Sequence, residues 1–235
     1  MRTARIVFIA ATLICATMAF GSDKPSVGVA EFTNDTSASW WYSDVGRDLA
    51  SMLTNELAST EKFKIVERAK LGKVLEEQDL AEAGRVSKKT GAKIGKLTGA
   101  QYLVYATVTA FDTNTAGTGG GIGFRGISIG GKKEEAYLAI DLRVVDTTTG
   151  EVEFTRTVEG RATSYGVSGG LSRGGFSGGL SKYEKTPTGK AIRGAIIEIT
   201  DYLTCAMVDK DDCMDAYKAK EKARRDKSKS TLKIE

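Results

Sequence analysis

Apolar positions recur along this chain with two different periods, and the switches between them divide it into elements. Ser26 to Phe32 (SVGVAEF) reads as a first strand. Val45, Leu49, Met52, Leu53 and Leu57 then follow at helical spacing behind Ser43 and Asp44, either of which can cap a helix by accepting backbone N–H groups. Phe63 to Val66 (FKIV) predicts a short buried strand. From Arg68 onward, Leu71, Val74, Leu75 and Leu80 predict a second helix, with Gly84 as its stop. Gly91, Gly95 and Gly99 predict a third helix from about Lys88 whose backbone packs closely on a sheet.

Strands dominate after that point. Tyr102 to Phe111 (YLVYATVTAF) is apolar on both faces, the pattern of a central strand. Leu138, Ile140, Leu142 and Val144 alternate with Asp141 and Arg143, which predicts a half-buried strand. Thr147 to Gly150 supply the turn into Val152, Phe154 and Val158, so these two strands form a hairpin. Ile192, Ala195, Ile196, Ile199, Leu203 and Met207 make the stripe of a long closing helix. The pattern gives an α/β (α+β mixed) fold in which helices pack on a mixed sheet.

The order strand, helices, strand from Glu56 to Phe111 (ELASTEKFKIV to YLVYATVTAF), followed by LRVVDTTTGEV, resembles the CsgG/HfaB family. The resemblance covers most of the chain and implies an exported, ring-forming, non-enzymatic component of curli-like or adhesin secretion. In that family each subunit contributes two β-hairpins to an oligomeric barrel. The resemblance places those hairpins at two glycine-rich insertions, residues 117–131 and 166–179. Their lipid-face candidates are Ile122, Phe124, Ile127 and Ile129 in the first, and Val167, Leu171, Phe176 and Leu180 in the second. A membrane strand wants about 9 to 11 alternating residues and aromatic girdles. Here glycine removes side chains from both faces and Arg125 and Arg173 intrude. Surface loops, or strands ordered only on assembly, are the alternative reading.

The same resemblance aligns Thr33 to Asp44 with a pore-constricting loop, making Trp40, Trp41 and Tyr42 candidates for the constriction and for contact with a passing client. Packing of these rings over the first helix is the other reading.

Composition narrows the chemistry. The chain has no histidine, which removes the usual general base near neutral pH and the commonest metal ligand. No spaced pair of acids stands out. Gly121-x-Gly123-x-x-Gly126 and Gly126 to Lys132 imitate nucleotide motifs, but a strand follows where a helix N-terminus is needed, and Lys133 stands where magnesium would require Ser or Thr. No enzyme activity, cofactor, metal, nucleic acid or small-molecule substrate is therefore expected.

Residues 1–21 read as a signal peptide: Arg2 and Arg5, an apolar run to Ala19, and small residues at Ala19 and Gly21. Cys15 follows Thr12-Leu13-Ile14, and bulky Ile14 makes a poor lipidation site. Without Arg2 and Arg5 the net charge falls from +4 to +2. The remaining basicity concentrates in the last 22 residues, where eight Lys and Arg face four Asp and Glu. Export implies an oxidising compartment for Cys205 and Cys213. An unbroken helix would hold them roughly 12 Å apart, so a disulfide staple requires a bend, for which Asp209-Lys210-Asp211-Asp212 is suited.

The organisation expected is thus a signal peptide (1–21), a periplasmic CsgG-like domain (22–208) carrying the two insertions, and a charged helical tail (209–235). A homo-oligomer that handles secreted or envelope polypeptides at the outer membrane is the first functional reading. A soluble periplasmic module that binds and scaffolds envelope proteins is the second.

Overall fold

The computed structural model describes residues 24–124, 127–168 and 186–231. Residues 1–21, Cys15, Arg125, Leu171, Arg173, Phe176 and Leu180 lie outside that set. The described elements are β1 (Ser26–Val29), β2 (Thr33–Asn34), α1 (Val45–Ser59), β3 (Lys64–Val66), α2 (Leu71–Glu82), β4 (Tyr102–Phe124), β5 (Ile127–Asp146), β6 (Val152–Ser168), α3 (Pro187–Thr204), a π-helical turn (Cys205–Asp209) and α4 (Cys213–Thr231).

The strands form one mixed sheet in the order β3-β1-β4-β5-β6, with β2 beside β4. β1 runs parallel to both β3 and β4, so Val27 stands between Ile65 and Tyr102. β4, β5 and β6 are antiparallel. The fold is α+β, with helices on a mixed sheet, as the apolar periods predict, and the sheet is not closed in the single chain.

One face of the sheet makes the core. Val27, Val29, Val104, Val108, Leu138, Ile140, Leu142, Val144 and Val158 are buried against Leu49, Leu53 and Leu57 of α1 and Ile192, Ile196, Ile199 and Leu203 of α3. Full burial of each such side chain contributes about 1.5 to 3 kcal/mol. At Gly160, α3 approaches β6 so closely that an added β-carbon would collide with the Ala191 carbonyl and stand 3.3 Å from the Ala195 methyl. The opposite face, which includes Tyr105, Asp141 and Arg143, is exposed, the usual one-sided pattern of antiparallel sheets.

Local chemistry sets the boundaries. Thr186 begins α3 by accepting the Gly189 N–H at 3.1 Å, and Pro187 occupies the first turn, where its missing N–H costs nothing. Gly84 ends α2 with φ of 72°, and Gly150 turns β5 into β6 with φ of 76°, both in the left-handed region that glycine enters without strain.

One expectation needs correction. The predicted third helix does not form: residues 85–100 run as turns and irregular backbone. Three glycines, each about 1 kcal/mol less favourable than alanine in a helix, outweigh the spacing, and Gly95 takes φ of 70°. Gly91 alone of the three approaches a neighbour, with Ala81 at 3.1 Å from its would-be β-carbon. The second helix forms as α2, and its apolar stripe lies outside the core. Val74, Leu75 and Leu80 are exposed, as are Ile94 and Leu97, and Gln78 is the one buried residue of α2.

Candidate functional site

The aromatic loop joins β2 to α1. Trp40 is 2% exposed and belongs to the core, its ring edge-on to Trp41 at 5.6 Å and to Phe111 at 5.4 Å. Trp41 is half-buried against the same cluster, and Tyr42 is 37% exposed. Asn34 and Thr36 tie the loop down: Asn34 Oδ1 accepts the Thr36 N–H at 3.0 Å, and the Thr36 hydroxyl accepts the Ala38 N–H at 3.2 Å. The three neighbouring aromatics thus divide. Trp40 packs inside the single chain, the packed alternative for these rings, whereas Tyr42 stands at the surface.

The first glycine-rich insertion is built as paired strands. β4 and β5 continue beyond Phe111 and Leu138 to Phe124 and Ile127, and β6 follows β5 until Ser168 opposite Gly130. The result is a three-stranded ribbon leaving the domain. Its register sets Ile122 opposite Ile129, Phe124 opposite Ile127, and Val167 opposite Gly131. Directly opposed residues share a face and residues two apart share it too. Ile122, Phe124, Ile127, Ile129 and Val167 therefore occupy one set of register positions, alternating with Gly123, Ser128 and Gly130.

The third element is the clamp that holds α4 beside β6. Arg156 projects from β6 with only 8% of its side chain exposed. Its guanidinium lies 5.1 Å from the Tyr202 ring centroid and 4.6 Å from that of Tyr217, while Nη1 donates to the Tyr217 carbonyl at 3.2 Å. Cation–π contact is worth about 2 kcal/mol or more when desolvated. Glu198 balances the charge at 3.7 Å and also accepts from Lys220 at 3.0 Å. Burial pushes the phenol of Tyr202 above its ordinary 10.0, and burial with Glu198 does the same to Tyr217. The hydrogen bonds from Arg224 hold Glu221 below the usual carboxylate range.

A disulfide between Cys205 and Cys213, with Cα atoms 6.1 Å apart, fastens the start of α4 to the end of α3. The bend it needs is the π-helical turn followed by Lys210 at φ of 52°, with the Lys210 N–H donating to the Cys205 carbonyl at 2.8 Å. Asp211 then accepts the Cys213 N–H at 2.9 Å and starts α4. These cysteines and Asp211 are the one cluster of metal-ligand types among the described residues, and the disulfide occupies both sulfurs. Replacing both cysteines by serine is expected to lower stability by about 2.5 kcal/mol, the loop-closure value for so short a loop. Hydrogen exchange should locate the loss in α4; unchanged protection there would mean that the Arg156 clamp suffices.

Comparison with known proteins decides what kind of chain this is. The family model described as "Curli production assembly/transport component CsgG" matches residues 13–232. The chain belongs to the CsgG family. Curated CsgG proteins from Salmonella typhimurium and Escherichia coli K12 are each 26% identical to it over 133 residues, 55% of this chain and 48% of theirs. The chain thus spans about half the length of the curated relatives it matches. Among solved structures, a hypothetical protein from Chlamydia trachomatis is 15% identical with a TM-score of 0.45, covering 79% of this chain and 99% of that one. The PelC dodecamer from Paraburkholderia phytofirmans is also 15% identical, with a TM-score of 0.33 over 75% of this chain and 84% of that one. Among the described residues no helix is long and apolar enough to cross a membrane.

Sequence reasoning missed the Arg156 clamp. In the sequence Arg156 is one more polar position of the last strand, and Tyr202 and Tyr217 lie in helices separated from it by a long stretch of chain. Their meeting depends on how α4 returns along β6, for which the only signal is the cysteine pair.

Proposed function

We propose that this CsgG-family protein is a ring-forming subunit of the cell envelope that exports or anchors extracellular polypeptides; the curated relatives are named as components of curli production assembly and transport. The observation that carries the reading is the ribbon. β4 runs past the domain from Asp112 to Phe124, long enough for the about 9 to 11 residues of a tilted transmembrane strand. The apolar register set Ile122, Phe124, Ile127, Ile129 and Val167 then supplies the lipid side. The exposed apolar residues of α2, with Ile94 and Leu97, supply a surface for a neighbouring copy to cover.

In this mechanism geometry takes the place of chemistry. Copies pack side by side, their ribbons join edge to edge so that every strand edge is paired, and closure makes a barrel legal in lipid. The loop bearing Tyr42 borders the aperture, and Trp40 fixes that loop from below. Residues 1–21 direct export to the periplasm, where Cys205 and Cys213 oxidise.

The test is to express the chain with its own leader, fractionate the envelope, extract in mild detergent and image by electron microscopy. Rings in the outer-membrane fraction, lost when residues 117–131 and 166–179 are replaced by short Gly-Ser turns, are the expected result. A soluble periplasmic monomer indifferent to those replacements would overturn the proposal and favour the binding module.

A further inference from the structure

The most cationic helix of the described chain is α4, with seven Lys and Arg against three Asp and Glu. Its two sides are used differently. One side holds the domain, with Tyr217 against Arg156 and Lys220 on Glu198. On the exposed flank next to it, Lys218, Lys222, Arg225 and Lys229 recur at intervals of four, three and four residues, which aligns them as one stripe. They rim an open cleft of about 500 Å³ beside Tyr217 and Arg156.

The stripe is not neutralised by the domain. Lys218 and Lys222 pair only with Asp215 and Asp226 of their own helix, at 3.2 and 2.9 Å, and such exposed pairs bind weakly. Among the described residues Arg225 and Lys229 form no close ion pair, although Arg225 lies near enough to Glu221 to help hold its carboxyl down. The apolar residues of α4 near its start, Met214 and Tyr217, pack toward the core, so this helix has no apolar face with which to enter a bilayer. What it offers outward is charge.

Position gives that charge a partner. Contacts with β6 advance along the helix: Tyr217 meets Arg156, and Arg224 lines a cleft with Glu159 and Arg161. β6 runs on from those residues into the ribbon. Arg224 thus meets β6 beyond Arg156, on the side from which the ribbon leaves, while Arg225 also lines a cleft that crosses the open face of the sheet beside Thr107, Asp141 and Thr155.

We propose that the Lys218, Lys222, Arg225 and Lys229 stripe docks the domain on the anionic lipid phosphates of the membrane that the ribbon enters. This rests on the membrane reading of the ribbon given above. Cations near an anionic bilayer strengthen binding by about fivefold each, and the attraction fades beyond a Debye length of about 8 Å. The stripe would hold a subunit at the surface with its ribbon facing the bilayer, before any barrel closes.

The experiment co-sediments the oxidised chain, without residues 1–21, with phosphatidylcholine vesicles that do or do not contain phosphatidylglycerol. Binding only to the anionic vesicles, and its loss in about 1 M salt, is the expected result. Combining Lys218→Gln, Lys222→Gln, Arg225→Gln and Lys229→Gln should weaken binding at least about tenfold, with circular dichroism unchanged. Replacing residues 117–131 and 166–179 should leave this binding intact, which separates failure of the ribbon from failure of the stripe. Equal binding to neutral vesicles, full binding by the four-glutamine variant, or binding to purified peptidoglycan but not to anionic vesicles would overturn the proposal.

Discussion

Gly160→Val is expected to destabilise the domain by at least about 3 kcal/mol, the upper range for overpacking against atoms that cannot move aside. For a domain of this size that corresponds to a fall of roughly 10 °C in Tm. Valine favours strands by up to about 1 kcal/mol, so local preference alone would predict the opposite sign. The collision decides. A β-carbon at position 160 meets the Ala191 carbonyl of α3, a backbone atom, and its carbonyl carbon lies at 3.1 Å. Relief requires moving α3 away from β6, which opens the buried contacts of Ile192 and Ile196 with the sheet. Thr155→Val, at an exposed position of the same strand, serves as the control and should shift stability by no more than about 0.5 kcal/mol. Thermal and urea melts that left Gly160→Val unchanged would show that α3 rests farther from β6 than this contact requires.

Trp40→Ala should cost about 3 to 5 kcal/mol, the range for deleting a buried aromatic ring. Trp40 fills the space between Trp41 and Phe111, and its removal leaves a cavity that β4 and the loop cannot both collapse to fill. Trp40→Phe should recover most of the loss. Its ring retains the apolar contact, and the buried indole N–H, which has no hydrogen-bond partner among the described residues, disappears with its desolvation cost. Tyr42→Ala, at the exposed end of the triplet, should change stability by at most about 1 kcal/mol. Equilibrium urea unfolding of the three variants separates the roles. A Trp40→Ala protein as stable as the parent would return that ring to the client-contact reading.

The domain core was legible in the residues because its signals are local. Val45, Leu49, Leu53 and Leu57 mark α1 by spacing, and the alternation from Leu138 to Val144 marks the core half of β5. Gly84 and Gly150 punctuate the chain where positive φ is needed. The misses share a cause, since each depended on what a residue meets in space rather than on its neighbours along the chain. Leu75 and Leu80 carry the same helical stripe as Leu49 and Leu53, and nothing in the spacing says that no described residue covers them. Gly91, Gly95 and Gly99 have helical spacing without helical propensity. The apolar pattern of β4 stops near Phe111 and that of β5 resumes near Leu138, because glycine erases the alternation that defines a strand; backbone pairing across the hairpin carries both strands farther. Among the candidate site residues, position separates Trp40 from Tyr42, and adjacency in sequence conceals that difference.

Three register shifts interrupt the sheet, and the two nearest the domain impose a parity rule on this lineage. Thr109 is an extra residue in β4 between Val108 and Ala110, and Glu153 is an extra residue in β6 opposite the step from Val144 to Val145. Both flank β5, so its pairing is keyed on either side before the ribbon begins. Beyond those points each strand can lengthen or shorten only two residues at a time if its facing is to survive. Loss of a single residue from β5 near Ala136 would exchange the register positions of Ile127 and Ile129 with those of their polar and glycine neighbours. Natural variants of the ribbon should therefore differ in length by even numbers per strand, with odd changes confined to the turns or accompanied by a new bulge.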